Sequence, residues 1–222
     1  MKVINGTDGL YISDQSAVSK VFKNTYMLLS MTLLFSAITA WCSMVFKLPA
    51  PGFLVMLIAF YGLLFLIHKT KDSGMGIVLT FALTGLLGLC LGPMLNSVLG
   101  LSNGSTIVTQ ALLMTAVTFV GLSLYVAKTG KDMSFLSGFI TAGFFILIAA
   151  MIAAIFVKTT VLSLAISAGF VLFSCMTILF QTSQIINGGE RNYILATVTL
   201  YVSIYNLFVS LLSLTSFFSK DD

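Results

Sequence analysis

Residues Ser73–Ala127 read SGMGIVLTFALTGLLGLCLGPMLNSVLGLSNGSTIVTQALLMTAVTFVGLSLYVA, and none of them is Asp, Glu, Lys or Arg. A bilayer core about 30 Å thick needs about 20 apolar residues per helix. The stretch is therefore too long for one span and long enough for two. Gly92-Pro93 and the run from Leu101 to Ser105 punctuate it, so the break between two helices is expected across residues 92–105, with Asn103-Gly104 as a turn. Working outward, five further runs carry no charge: Asn24–Phe46, Leu48–Ile67, Met133–Val157, Thr159–Gly189 and Asn192–Ser219. Each can cross a bilayer.

Composition agrees. Apolar residues make up 58% of the chain, charged ones 8%, and the mean hydropathy is +1.07. A soluble core of this size would carry far more surface charge. The expectation is an all-α membrane protein, a seven-transmembrane helical bundle with spans near 24–46, 50–68, 75–98, 106–127, 134–157, 160–187 and 193–217. A polar cytoplasmic tail, residues 1–23, would precede one transmembrane domain, residues 24–218, with no cleaved leader. Asp132 and Ser134 are candidate N-caps of the fifth helix. Gly188-Gly189 should end the sixth and turn the chain into the seventh.

Loop charges set the orientation. Lys2, Lys20, Lys23, Lys69, Lys71, Lys128, Lys131 and Arg191 fall on the N-terminal side of the membrane, and only Lys47, Lys158 and Lys220 on the other. The positive-inside rule then puts the N-terminus in the cytoplasm and the C-terminus outside. These cations are scattered singly, without aromatic interleaving, so they read as topology signals facing lipid headgroups and not as a nucleic-acid footprint. Cys42, Cys90 and Cys175 lie inside apolar runs without paired spacing and read as small hydrophobes.

The acidic residues Asp8, Asp14, Asp72, Asp132, Glu190, Asp221 and Asp222 all lie in tails or loops. Proton-coupled transporters place carboxylates, His or Lys within the bilayer, and none is available here. Every lysine is at a boundary, so a retinal Schiff base is excluded. The only histidine, His68, ends the second span as an interfacial anchor. With no HExxH and no intramembrane aspartate pair, neither catalysis nor a cofactor or metal is expected.

Neutral polar residues recur with helical period instead. Thr199, Ser203, Asn206, Ser210 and Ser213 fall on one face of the seventh span, and Ser163, Ser167, Ser174, Thr177, Gln181 and Gln184 on a comparable stripe of the sixth. Facing stripes of this kind pack two helices closely, with hydroxyls bonded across. The same seam could form a narrow polar path or a small cation site. Gly85, Gly88 and Gly92 in the third span, and Ser134, Gly138 and Ala142 in the fifth, form small-residue faces suited to helix contact inside the bundle. Asn96 follows Pro93 and is a candidate partner for backbone groups the proline frees.

Several segments carry a resemblance. The segment Lys131-Asp-Met-Ser-Phe-Leu136 resembles a motif of the Bax inhibitor family of seven-helix membrane proteins. The segments Asn24-Thr-Tyr26, Thr84-Gly-Leu-Leu-Gly88, Leu91 to Asn96, Leu164 to Ser167, Ile186 to Glu190 and Leu200 to Phe208 are similar to its enterobacterial branch. The likeness runs from about residue 18 to 218. It implies binding to the FtsH protease complex and modulation of that membrane-anchored AAA protease. Engagement through the tail, read as a disordered segment, would suit that role. The family's other activity is a cation (calcium or proton) leak governed by two intramembrane aspartates. Motif matching puts those positions at Gln181 and Ser203, which cannot titrate but could hydrogen-bond and hold the two helices together.

Overall fold

The computed structural model describes residues 6–49 and 51–219. Seven helices follow one another: α1 (Gly6–Val45), α2 (Phe53–Thr70), α3 (Gly74–Leu99), α4 (Gly104–Thr129), α5 (Leu136–Phe156), α6 (Thr160–Ile186) and α7 (Tyr193–Phe218), with no strand among the described residues. Six are long and apolar enough to cross a membrane; α2 is shorter. At 1.5 Å per residue, the 18 residues of α2 reach about 27 Å. Pro49 disfavours helical backbone at Leu48, and the residue ahead of α2, Gly52, is extended with ψ 144°.

Helix α1 begins well before Asn24, so helical backbone runs through residues 6–23, the stretch read from sequence as tail. Val18, Val21 and Phe22 explain its last turns, being partly buried along one face. Residues 1–5 lie outside the described residues.

The expected break within Ser73–Ala127 falls at residues 100–103, and Pro93 stays inside α3. A proline removes the donor for the carbonyl four residues back, here Leu89. That carbonyl accepts instead from Ser43 Oγ of α1 at 2.8 Å. Asn96 does not fill this role; its Nδ2 donates to the Met44 carbonyl at 3.2 Å. The α3 glycines make the approach possible. A side chain at Gly85 would meet the Phe35 ring at 2.8 Å, one at Gly88 the Thr39 hydroxyl and Ser36 carbonyl, and one at Gly92 the Ser43 hydroxyl. This row packs inside the bundle, against α1.

Helix α7 is the hub, touching α1, α3, α4 and α6, whereas α2 packs chiefly on α3 and α5 chiefly on α6. Leu29, Leu83, Leu87, Leu200 and Tyr201 form its main core with Ile67 and Ile185. The Tyr201 hydroxyl reaches Ser36 Oγ (2.5 Å) and the Thr84 carbonyl (3.2 Å), joining α7, α1 and α3. The second small-residue row does not pack: Gly138 and Ala142 are exposed, and nothing lies within 4 Å of a Cβ built at Gly138. Among the described residues α5 packs chiefly on α6, where Gly143 faces Phe173 and Leu147 faces Gly169.

Candidate functional site

The α6 and α7 stripes converge as their periodicity predicts. Thr177 of α6 and Thr199, Ser203 and Asn206 of α7 line one hollow of about 450 Å³. Ser163 and Ser167 meet Ser213 in a second, about 250 Å³, at the far end of the seam. Ser174 and Ser210 are buried between the two.

The bond open to Gln181 and Ser203 is not formed. Ser203 Oγ donates to the Thr199 carbonyl of its own helix at 2.8 Å, the local bond always open to a helical serine. Gln181 is 6% exposed and its Nε2 has no partner; Ser174 Oγ is likewise buried and unpartnered. Thr177 also bonds within its helix, to the Phe173 carbonyl. The two helices are therefore held by close packing and not by the cross-helix hydroxyl bonds expected. No carboxylate or imidazole lies on the seam, and no group of His, Cys, Asp and Glu that could hold a metal occurs among the described residues. The arrangement can offer neutral donors and acceptors to a ligand; it cannot exchange a proton near neutral pH.

Lys131 and Asp132 sit apart from the seam, in the α4–α5 loop. Asp132 Oδ1 accepts from the Ser134 backbone N–H (2.9 Å) and hydroxyl (2.5 Å). Those bonds, the hydroxyl's first, hold the exposed carboxyl below its ordinary range. Neither Asp132 nor Ser134 caps α5, which starts at Leu136 after Phe135, with no side-chain cap. Instead Asp132 closes a turn ahead of the helix, because Ser134 lies two residues on, within reach of its carboxylate. Lys131 Nζ lies over the Tyr125 ring, 5.9 Å from its centroid.

Sequence reasoning missed what fastens this end of the molecule. Ser183 Oγ of α6 accepts from the Met133 backbone N–H (2.9 Å), donates to the Lys131 carbonyl (3.2 Å) and accepts from Asn187 Nδ2 (3.1 Å). Gln184 Nε2 donates to Ser134 Oγ at 3.1 Å. Asn192 caps α7, its Oδ1 accepting from the Ile194 and Leu195 N–H groups. Its Nδ2 donates to the Lys71 carbonyl (3.0 Å) and Asp72 Oδ1 (2.9 Å), which ties the α2–α3 loop to the α6–α7 loop. An Asn just ahead of an apolar run is an N-cap signal legible in sequence; its second set of bonds is not. Together these bonds gather Lys69, Lys71, Lys131 and Arg191 at one end.

Comparison with known proteins places this architecture. Residues 18–220 match the family described as Inhibitor of apoptosis-promoting Bax1. An uncharacterized Pseudomonas aeruginosa protein is 57% identical over 95% of both chains. The Escherichia coli K12 protein named Modulator of FtsH protease YccA is 53% identical over 91% of this chain and 92% of its own. Its counterpart in E. coli O6:H1, at the same identity and coverage, is named Inner membrane protein YccA. With its spanning helices and these relatives, the chain belongs to the Bax inhibitor family and is a multi-pass inner-membrane protein.

Proposed function

We propose that this protein binds the membrane-anchored AAA protease FtsH and slows its action on other membrane proteins, by association and not by catalysis. The observation that carries the reading is the 53% identity, over 91% of the chain, to the E. coli protein named as a modulator of that protease. The seam supports a non-enzymatic role, since it holds neutral groups only. It also gives the cation-leak reading no titrating pair, because Gln181 and Ser203 stand at the matched positions.

In this reading α2 also crosses the membrane and brings the number of spans to seven, its 18 residues being within the lower range for a transmembrane helix. Seven antiparallel spans put the termini on opposite faces. The end gathering Lys69, Lys71, Lys131 and Arg191 is the cytoplasmic one, and the start of α1 lies there too. A protease that pulls on this end must separate α1 from the α3 glycine row and break the Tyr201 bonds to Ser36 and Thr84. Such an interlocked bundle yields slowly, which suits an inhibitor or slow substrate.

The test is the degradation rate of a membrane substrate by FtsH reconstituted in liposomes, with and without this protein. Slowing that grows with the molar ratio of the protein to the protease is expected. An unchanged rate, with the protein folded and in excess, overturns the proposal.

A further inference from the structure

The 450 Å³ hollow has properties that close packing does not explain. Its floor is α7, and α2 and α5 flank it with Phe60 and Phe144. Each of those two helices packs chiefly on a different neighbour, so the space between them opens sideways toward the hydrocarbon of the bilayer. Asn206 on the floor is the middle residue of α7, 13 positions from Tyr193 and 12 from Phe218. At 1.5 Å per residue it lies about 20 Å from either end, near the bilayer midplane.

The Asn206 amide and the Thr199 hydroxyl, both lining the hollow, make no hydrogen bond among the described residues. Polar groups left unpaired in hydrocarbon are unfavourable, and within membranes they are normally satisfied by neighbouring helices. Here two stand open in a hollow that no charged side chain lines. Ser174 and Gln181, one turn either side of the lining residue Thr177, are also buried with unpartnered polar atoms. A bound molecule with carbonyl oxygens would complement the Asn206 N–H groups and the Thr199 O–H.

Size, depth and lining narrow the occupant. About 450 Å³ falls in the range of small-molecule sites, roughly 300–1,000 Å³, and a partner helix needs far more room. A glycerolipid carries its polar groups at the interface, too far from Asn206 to bond it. Phe60, Tyr61, Phe144, Phe170, Phe173 and Tyr205 contribute ring faces and edges suited to a planar ring. We infer that the hollow between α2, α5, α6 and α7 binds a neutral, ring-bearing carbonyl compound dissolved in the bilayer interior, of the quinone class. Asn206 and Thr199 would donate to its carbonyl oxygens.

The test uses the full-length protein in lipid nanodiscs with a photoreactive azido-benzoquinone carrying a short alkyl tail, and locates adducts by peptide mass spectrometry. Saturable labelling concentrated on α2, α5, α6 and α7 around the hollow is expected. Asn206→Leu should cut the yield about tenfold with an unchanged melting temperature, since that side chain has no hydrogen bond to lose. Val202→Phe, which fills the hollow, should abolish labelling, and stands as the second variant if Asn206→Leu misfolds. An unlabelled benzoquinone should compete, whereas a monoacylglycerol of similar length should not. Labels spread over the lipid-facing surface, yields insensitive to both variants, or equal displacement by the monoacylglycerol would each overturn the inference.

Discussion

Helices α5 and α7 are both uncharged and both long enough to cross a bilayer, yet 6% of the apolar window of α5 is buried within the chain against 61% of that of α7. The more apolar helix is the more exposed one. Phe139, Phe145, Ile146 and Phe156 of α5 face outward, while Thr197, Tyr201, Ser203 and Ser210 of α7 face in. In water the order would be reversed. Within lipid, a phenylalanine gains nothing by leaving acyl chains for protein, so small size and hydrogen bonding mark the interior instead. The α3 glycines pressed against Phe35, Ser36 and Ser43 obey the same rule.

The contrast can be broken most sharply at glycine. Gly88→Leu drives a side chain into the Ser36 carbonyl and Thr39 hydroxyl, and should cost about 3 kcal/mol, the upper range for overpacking. The measurement is thermal unfolding in a mild detergent, and a melting temperature like that of the parent would break the interior assignment of α3. Next comes Ser183→Ala, which orphans the buried Met133 N–H. A loss of about 1–3 kcal/mol is expected, with faster hydrogen exchange at the Met133 amide. Unchanged exchange there would mean that Ser183 does not hold the loop.

Tyr201→Phe removes the hydroxyl bonded to Ser36 and Thr84 while keeping the ring. Hydrogen bonds between transmembrane helices are modest, so about 0.6–1.7 kcal/mol is expected from the same unfolding assay. Lower on the scale, Gly138→Leu on α5 should change stability by under about 0.5 kcal/mol, because the position is open. If it costs as much as Gly88→Leu, another surface covers α5 and the comparison fails.

The smallest effect concerns pH. Asp132 is held below its ordinary value of 3.8, first by the Ser134 hydroxyl and then by its backbone N–H. A carboxyl depressed in the folded state stabilises its turn at pH above the unfolded value, and that contribution is lost as pH falls through the folded one. The Ser134 amide resonance should therefore titrate with a midpoint below 3.8, and Asp132→Asn should flatten the curve. A midpoint at or above 3.8 would remove the turn from the solution structure.

Legibility in the sequence followed the range of the interactions involved. The turn at Gly188 is local; that residue has φ +76° and follows α6 as expected. The convergence of Thr177, Thr199, Ser203 and Asn206 was also readable, because a tight turn and helical period bring two stripes together without knowledge of other helices. Ser43 gave no comparable signal. Its value lies in the Leu89 carbonyl, 46 residues away, which Pro93 deprives of its own donor. The Gly138 row misled because its four-residue step repeats the one between Gly88 and Gly92. Only a partner helix distinguishes them, and α1 is present for one alone.

The sequence by itself determined the helical class, the places where helices end, the neutrality of the membrane interior and the family. These depend on hydropathy runs, turn residues and short motifs, each contained in a few consecutive positions. Only the tertiary structure decided which faces turn inward, which hydroxyls find partners, and that Asn206 and Thr199 are left open beside a lateral hollow. The physical reason is that lipid and protein interior are nearly equal as surroundings for apolar side chains. Burial in such a bundle is decided by shape and hydrogen-bond complementarity between distant segments, which hydropathy does not record.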